Sequence, residues 1–221
     1  MKIIISGYGK MGRMVESVLA GKGIELACAT EDVCAVDPAL AKECVCIDFT
    51  TPAAFRKNYK FLADNFKAVV IGTTGWDDIC SEVEDYFRSR GTTMIHSSNF
   101  SIGVNAVFAA VEKVSSILRD LGYESHITET HHIHKLDAPS GTAKSLASLV
   151  EEGLGQTPEI TSIREGEVPG THVVEFGSEV DRIAVSHEAF SRKGFAEGAV
   201  YAALLTEGLT GVHTFKELII K

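Results

Sequence analysis

The 221-residue sequence has no long apolar run and no excess of positive charge. No stretch approaches the roughly 18 apolar residues that a membrane helix needs, and the apolar run at residues 3–5 is too short for a secretory signal. Lys and Arg number 21 against 30 Asp and Glu, which gives a net charge of -9. Because non-specific nucleic-acid binding needs a basic surface, we expect neither a membrane nor a nucleic-acid partner.

Cysteine is scarce, and its spacing indicates no pairing. The five cysteines are an odd number and none forms a CxxC pair: Cys28, Cys34, Cys44, Cys46 and Cys80. The pattern therefore predicts reduced thiols in a cytoplasmic protein rather than a disulfide framework. A metal site at Cys44 and Cys46 is a weaker alternative.

Short β-branched runs alternate with helical patterns over the first hundred residues. Strands are predicted at residues 2–6, 24–30, 44–49, 68–71 and 93–96, and helices at 11–20, 52–65 and 76–89. This alternation predicts an α/β fold with a Rossmann-like, doubly wound parallel sheet. Residues 32–43 are too few for a helix and a strand, so one crossover is expected to be abbreviated.

The pattern changes after about residue 100. We predict helices at residues 102–121, 142–154, 195–209 and 214–220, and strands at 124–131, 159–165, 172–176 and 182–187. The predicted organisation is a dinucleotide-binding domain (residues 1–100 with 192–221) and a smaller α+β domain with a mixed sheet (residues 101–191).

A GxGxxG sequence follows the first predicted strand and opens a helix. It consists of Gly7, Tyr8, Gly9, Lys10, Met11 and Gly12. In this context the motif predicts that a dinucleotide pyrophosphate lies on the helix N-terminus. Glu31, about 20 residues on, is placed to bind ribose hydroxyls. Asp32 adds a second carboxylate that should repel a 2′-phosphate, which favours NADH over NADPH; the alternative is a glycine turn beside a solvated acid.

Two further loops follow predicted strands at the carboxyl edge of the sheet, where ligands bind in such folds. The candidate cofactor-binding residues in them are Gly72, Thr73, Thr74, Ser97, Ser98, Asn99 and Phe100. Small and hydroxylated residues let a nicotinamide ribose or amide approach the backbone. Ordinary turn and helix-cap chemistry is the alternative.

Three histidines and a lysine lie within five residues between a predicted strand and a predicted helix: His131, His132, His134 and Lys135. Lys135 or His131 could supply a proton. Neutral histidines also bind zinc, but no cysteine and no HxxxH spacing lies nearby, so we expect no metal.

The helix start that follows is marked by Pro139, Ser140, Gly141 and Thr142. Its amides can hold a carboxylate, and His132 and Lys135 would add positive charge. The segment therefore predicts an anion pocket beside a proton donor. The alternative is a run of surface histidines with only a structural role.

Several motifs together resemble the 4-hydroxy-tetrahydrodipicolinate reductase (dihydrodipicolinate reductase) family of lysine and diaminopimelate biosynthesis. They are GYGKMG at 7–12, DFTTP at 48–52, GTTGW at 72–76, SNFSIGVN at 98–105, ETHHIHKLDAPSGTA at 129–143 and SHEAFSRKGFAEGA at 186–199. The resemblance implies an NAD(P)H-dependent reductase of a small cyclic dicarboxylate, assembled as a homotetramer.

The resemblance also implies individual roles. His131 would be the acid/base, Lys135 the proton donor, and His132, Gly141 and Thr142 the ligands of a substrate carboxylate. The sequence departs from the family pattern at residues 32–43, where it is shorter, and at Asp32, where a basic residue is often found. The competing hypotheses are another Rossmann-type amino-acid dehydrogenase, which gives no reason for the DAPSGT turn, and a non-catalytic nicotinamide sensor, which needs neither proton donor.

Overall fold

A computed structural model describes residues 1–220 of the chain, and its first sheet has six parallel strands. The spatial order is β10-β5-β4-β3-β1-β2. The strands are β1 (Lys2–Ser6), β2 (Glu25–Thr30), β3 (Cys44–Asp48), β4 (Ala68–Ile71), β5 (Thr93–His96) and β10 (Val212–Thr214). All five residues of β3 are buried, as expected for a central parallel strand that is covered on both faces.

Helices cover both faces of this sheet. They are α1 (Lys10–Lys22), α2 (Pro38–Ala41), α3 (Pro52–Asn65), α4 (Cys80–Arg90), α7 (Lys193–Leu205) and α8 (Phe215–Ile219). Successive side chains of β1 point to opposite faces. Ile3 and Ile5 therefore lie in one core with residues of α1 and α7, while Ile4 lies in the other with residues of α3.

The structure agrees with the expected short crossover and differs from the prediction at β10. Between β2 and β3 lie only a 3₁₀ turn (Val33–Ala35) and the four-residue α2. The sequence predicts helix from residue 214, but Val212–Thr214 pairs with Met94–His96 of β5. Three residues are too few to show the alternation typical of a strand. The pairing with β5 joins residues distant in sequence, so a local pattern does not reveal it.

The second sheet is mixed and has the order β7-β6-β8-β9. Strand β6 pairs parallel with β7 and antiparallel with β8, which pairs antiparallel with β9. The elements of this part are α5 (Ile102–Leu118), β6 (Glu124–His131), α6 (Gly141–Leu154), β7 (Glu159–Arg164), β8 (Thr171–Gly177) and β9 (Arg182–Glu188). Ile127, Glu129 and His131 alternate along β6 and are all buried, so two polar side chains continue the core face to the strand end.

The chain divides into two compact units: one holds Met1–Ile102 together with the chain from Lys193 onward, and the other is Gly103–Arg192. The predicted fold class, a Rossmann-like parallel sheet with a smaller mixed-sheet α+β part, is confirmed. Within residues 1–220, none of the helices has the length and hydropathy to cross a bilayer.

Candidate active site

Three glycines shape the loop between β1 and α1 in different ways. A Cβ on Gly7, whose φ is +88°, would lie 2.4 Å from the Phe49 carbonyl oxygen, and one on Gly12 would lie 2.2 Å from the carbonyl oxygen of Gly7. These two glycines are therefore required by the backbone itself. Gly9 instead has no neighbour within 4 Å of its Cβ position, and it begins α1 without a side-chain hydrogen bond. Gly9 and Lys10 at the start of α1 are exposed, and an exposed helix N-terminus suits a pyrophosphate.

Glu31 is fastened to this loop. Its carboxylate accepts a hydrogen bond of 2.8 Å from the backbone N–H of Tyr8, and both residues belong to the predicted cofactor set. The Arg13 guanidinium lies 5.0 Å from the centre of the Tyr8 ring. An acid and a cation therefore lie beside the glycine loop.

A buried carboxylate, Asp48, joins the loops at the carboxyl edge of the sheet. It accepts hydrogen bonds from the hydroxyls of Ser6 (2.7 Å), Thr73 (2.5 Å) and Thr50 (3.0 Å). Burial raises the pKa of Asp48, although these hydrogen bonds act in the opposite direction. Sequence reasoning gave Asp48 no role, while the structure shows that it fixes the position of Thr73.

The two other predicted cofactor loops follow β4 and β5, which are neighbours in the sheet. A Cβ on Gly72 would lie 2.1 Å from the Phe49 ring. The hydroxyl of Ser97 donates to the carbonyl oxygen of Asn99 (2.8 Å) and accepts from its N–H (3.1 Å). Three of the predicted residues are buried in packing, namely Thr73, Asn99 and Phe100, whereas Gly72, Thr74, Ser97 and Ser98 keep accessible surface.

In the second unit, a histidine–carboxylate pair lies at the end of β6. Nδ1 of His131 contacts Oε2 of Glu129, and Oε1 of Glu129 accepts a hydrogen bond of 2.8 Å from Arg164. Burial lowers the pKa of His131, although Glu129 opposes it. A carboxylate on Nδ1 favours the tautomer that carries its proton there. A Cβ on Gly170 would lie 2.9 Å from Nε2 of His131, so glycine at 170 leaves that nitrogen room.

Lys135 belongs to the same network. Its ammonium lies 2.7 Å from the Asp137 carboxylate and the side chain is 22% exposed. The hydrogen bond from Lys135 lowers the pKa of Asp137. Arg164 donates to the Asp137 carbonyl oxygen at 2.6 Å, so Arg164 connects the Lys135 loop to Glu129 and hence to His131.

The N-terminus of α6 follows this loop. The Ser140 hydroxyl accepts the Ala143 N–H at 3.2 Å and lies 3.2 Å from Nε2 of His172. Ser140 is therefore a helix cap. Gly141 is exposed and Thr142 is half-buried, so the first turn of the helix keeps solvent access.

The predicted histidines are not equivalent. His132 is half-buried, and its buried Nδ1 lacks a hydrogen-bond partner. His134 is exposed and lies 3.0 Å from Glu167. Among residues 1–220, Glu129, His131 and His172 also form one of the donor groups whose spacing could hold a metal ion.

Comparison with known proteins gives a consistent result over the whole chain. Residues 1–100 match the family model described as dihydrodipicolinate reductase, N-terminus, and residues 103–219 match its C-terminus. A 4-hydroxy-tetrahydrodipicolinate reductase of Christiangramia forsetii is 36% identical, with 99% of this chain and 98% of that protein covered. The chain belongs to the dihydrodipicolinate reductase family.

Solved structures agree at the level of the fold. A dipicolinate-bound dihydrodipicolinate reductase from Paenisporosarcina sp. TG-14 has a TM-score of 0.82 at 20% identity and covers 99% of both chains. An aspartate dehydrogenase from Thermotoga maritima has a TM-score of 0.54 at 11% identity, with 95% of this chain and 97% of that chain covered. Amino-acid dehydrogenases thus share the general plan of this reductase family.

Sequence reasoning missed three residues of the network around His131: Glu129, Arg164 and His172. In the register of β6 with β8, Glu129 lies opposite His172, and the rings of His131 and His172 lie 5.1 Å apart in an edge-on arrangement. Glu129 occurs within the quoted ETHHIHK motif, and its alternation with His131 was the available signal. The partners on β7 and β8 lie more than 30 residues away, so spacing could not reveal them.

The pH dependence of stability tests the buried state of His172. Burial, together with the charge of His131, lowers the pKa of His172 from 6.5 to about 4. Between pH 6.5 and about 4 the unfolded chain binds a proton at this imidazole and the folded chain does not. The contribution of neutral His172 to stability is therefore complete above pH 6.5 and is lost as the pH falls to about 4. The loss should be about 3 kcal/mol.

We expect urea unfolding at several pH values to show this slope in the native chain and to show it reduced in His172→Gln. The matched control is His134→Gln, which removes an exposed histidine and should keep the native slope. Equal slopes for the native chain and His172→Gln would contradict the assignment.

Proposed function

We propose that this chain catalyses the NAD(P)H-dependent reduction of 4-hydroxy-tetrahydrodipicolinate to tetrahydrodipicolinate in lysine and diaminopimelate biosynthesis. The observation that carries the proposal is the network of His131, Glu129, Arg164 and Lys135 beside the open N-terminus of α6, in a chain of this family. A fold shared with other dehydrogenases would not by itself specify these residues.

The chemistry requires a proton donor. Loss of water from the substrate gives a conjugated cyclic imine. When bound, the reduced nicotinamide supplies a hydride to the conjugated carbon, and the neighbouring carbon must then take up a proton. We assign this proton to the Lys135 ammonium, with His131 as the group that returns it. The overall reaction converts one substrate molecule, one NAD(P)H and one proton to tetrahydrodipicolinate, NAD(P)⁺ and water.

Substrate recognition requires positive charge, because the substrate carries two carboxylates. The amides of Gly141 and Thr142 at the start of the 14-residue α6 can hold one carboxylate on the helix dipole. His132 and Lys135 add hydrogen-bond donors from the preceding loop, and Ser140 holds the helix start in place. The Paenisporosarcina structure is described as bound to dipicolinate, itself a cyclic dicarboxylate, which supports this class of ligand.

For the cofactor, we assign the glycine loop of residues 7–12 to the pyrophosphate, Glu31 to the ribose, and the loops after β4 and β5 to the nicotinamide half. Asp32 bears on the choice between NADH and NADPH. Its carboxylate is exposed and accepts the Cys34 N–H at 3.1 Å, next to Glu31. Two neighbouring carboxylates repel a 2′-phosphate, so we propose that NADH is preferred.

Asp32→Arg is expected to lower KM for NADPH relative to KM for NADH, because a guanidinium binds phosphate and the negative charge is removed. Steady-state kinetics with both cofactors measure the ratio. Asp37→Arg is the matched control, since Asp37 is also an exposed acid whose carboxylate accepts an N–H, from Ala39 at 2.9 Å. An unchanged ratio in Asp32→Arg would refute the charge argument.

The assembly and location follow from the family resemblance. We propose a cytoplasmic homotetramer formed through the mixed-sheet unit. Light scattering of the purified chain measures the mass of the assembly, and a monomeric mass at working concentration would overturn this part of the proposal.

The activity itself is tested by NADH and NADPH consumption with freshly prepared 4-hydroxy-tetrahydrodipicolinate. We expect turnover with at least one cofactor. Oxidation of aspartate or diaminopimelate in its place would identify an amino-acid dehydrogenase. Cofactor binding without turnover of any of these compounds would identify a nicotinamide sensor.

A further inference from the structure

Three metal-ligand side chains meet beside the sheet of the first unit, away from the glycine loop. Cys80 and Glu84 lie one turn apart on the same face of α4, and His96 ends β5. Oε1 of Glu84 lies 3.5 Å from Sγ of Cys80 and 3.2 Å from Nε2 of His96. All three donor atoms lie within 4.8 Å of one another.

These distances match the ligand spacing of a tetrahedral zinc site. Zinc binds sulfur at about 2.3 Å and nitrogen or oxygen at about 2.0–2.1 Å, which places neighbouring ligand atoms about 3.3–3.8 Å apart. The two measured separations from Glu84 lie at or near this range. A metal ion therefore needs only small side-chain movements.

The surroundings of Glu84 and His96 keep their donor atoms beside each other. Arg88 binds the other carboxylate oxygen of Glu84 at 2.7 Å, so Oε1 remains directed to Cys80 and His96. Nε2 of His96 is buried and lies 3.2 Å from Oε1 of Glu84 without an aligned hydrogen bond. A buried nitrogen without an aligned partner is a cost to the fold, and a metal ion bound by both Nε2 and Oε1 would remove that cost.

The chemistry of the donors selects the metal. A thiolate and an imidazole favour zinc over magnesium or calcium, which prefer oxygen ligands. All three residues keep partial solvent access, so an ion can enter and a water molecule can complete the tetrahedron.

We propose that Cys80 Sγ, Glu84 Oε1 and His96 Nε2 bind one zinc ion, independently of the reductase activity proposed above. The ion would fasten α4 to the end of β5, directly before Ser97. It would therefore stabilise the strand end from which one of the candidate cofactor loops departs.

Cobalt(II) is the probe that tests this, because a thiolate ligand gives it a charge-transfer absorption and tetrahedral geometry gives intense visible bands. The full chain, freed of metal with a chelator, is titrated with Co²⁺. We expect both signals to saturate at one equivalent and to disappear when Zn²⁺ is added. Cys80→Ser should abolish the charge-transfer band, and His96→Gln, which removes a ligand, should weaken binding by more than the about 10–100-fold seen when a group that orients a ligand is lost.

Cys34→Ser is the matched control, since Cys34 is an exposed free thiol outside the cluster, and it should keep both signals. Circular dichroism of each variant verifies folding. The group Glu129, His131 and His172 has no thiol, so binding there gives no charge-transfer band and survives Cys80→Ser. Absence of the band in the native chain, or its persistence in Cys80→Ser, would overturn the proposal.

Discussion

Lys135→Ala is expected to lower kcat by about 10²-fold or more, which corresponds to about 2.7 kcal/mol of lost transition-state stabilisation. The reason is that the variant has no ammonium to protonate the carbon next to the site of hydride addition. In the structure Lys135 is held at 2.7 Å from Asp137, so its direction is set by a partner rather than by solvent. Initial rates of NADH oxidation at saturating substrate measure the change.

A second substitution separates proton donation from charge. Lys135→Arg keeps a cation for the substrate carboxylate but carries a guanidinium that hardly releases protons. We expect KM to stay close to the native value while kcat falls, whereas Lys135→Ala should change both. Lys144→Ala, which removes an exposed lysine of α6, is the matched control. A native kcat in Lys135→Ala would remove Lys135 from the role of proton donor.

Glu129→Ala is expected to lower the free energy of unfolding by about 3–5 kcal/mol, the range seen when one partner of a buried ion pair is removed. Glu129 is fully buried and binds both Arg164 and His131. Without it the Arg164 guanidinium, whose Nε already lacks a partner, keeps a mostly buried charge with no carboxylate. Urea unfolding at pH 7.5 measures the loss.

The same residue also has a pH signature. Burial acts to raise the pKa of Glu129, but the hydrogen bond from Arg164 and the positive charge beside it act in the opposite direction, and the pKa lies below 4.5. Its ionised form therefore stabilises the fold above pH 4.5, and this contribution is lost as the pH falls through the lower, folded-state value. Glu129→Ala should lack that acid step.

Glu167→Ala is the control for Glu129→Ala, because Glu167 pairs with His134 at the surface. Exposed pairs contribute about 0–1 kcal/mol, so this variant should unfold close to the native midpoint. A loss below about 1 kcal/mol in Glu129→Ala itself would show that the pair with Arg164 stabilises the fold no more than an exposed pair does.

Much of the fold could be predicted because periodicity and turn residues are local signals. The strand at Cys44–Asp48 and the helix at Pro52–Asn65 follow from a continuous apolar run and a proline in the first turn. The strand Val212–Thr214 could not be predicted, since only the exposed edge of β5 makes it a strand. Its three residues carry no period of their own.

The candidate site was predictable to the same extent. The composition and spacing of the glycine loop and of the segment from His131 to Thr142 indicate them as candidate site segments. Asp48 and Arg164 do not, because their hydrogen bonds join strands that are distant in sequence. Buried carboxylates are found by asking which hydroxyls and cations surround them, and a linear sequence does not give those neighbours.

The two units differ in continuity, which bears on how the protein is made. Gly103–Arg192 is one unbroken stretch, whereas the six-stranded sheet needs α7, α8 and β10 from beyond residue 192. On the ribosome, the mixed sheet has all its strands while the parallel sheet still lacks its outermost one. Ile3 and Ile5 therefore cannot pack against Ala199 and Val200, which belong to the same core, until those residues have been synthesised. During that interval the first hundred residues expose an apolar face that chaperones can bind.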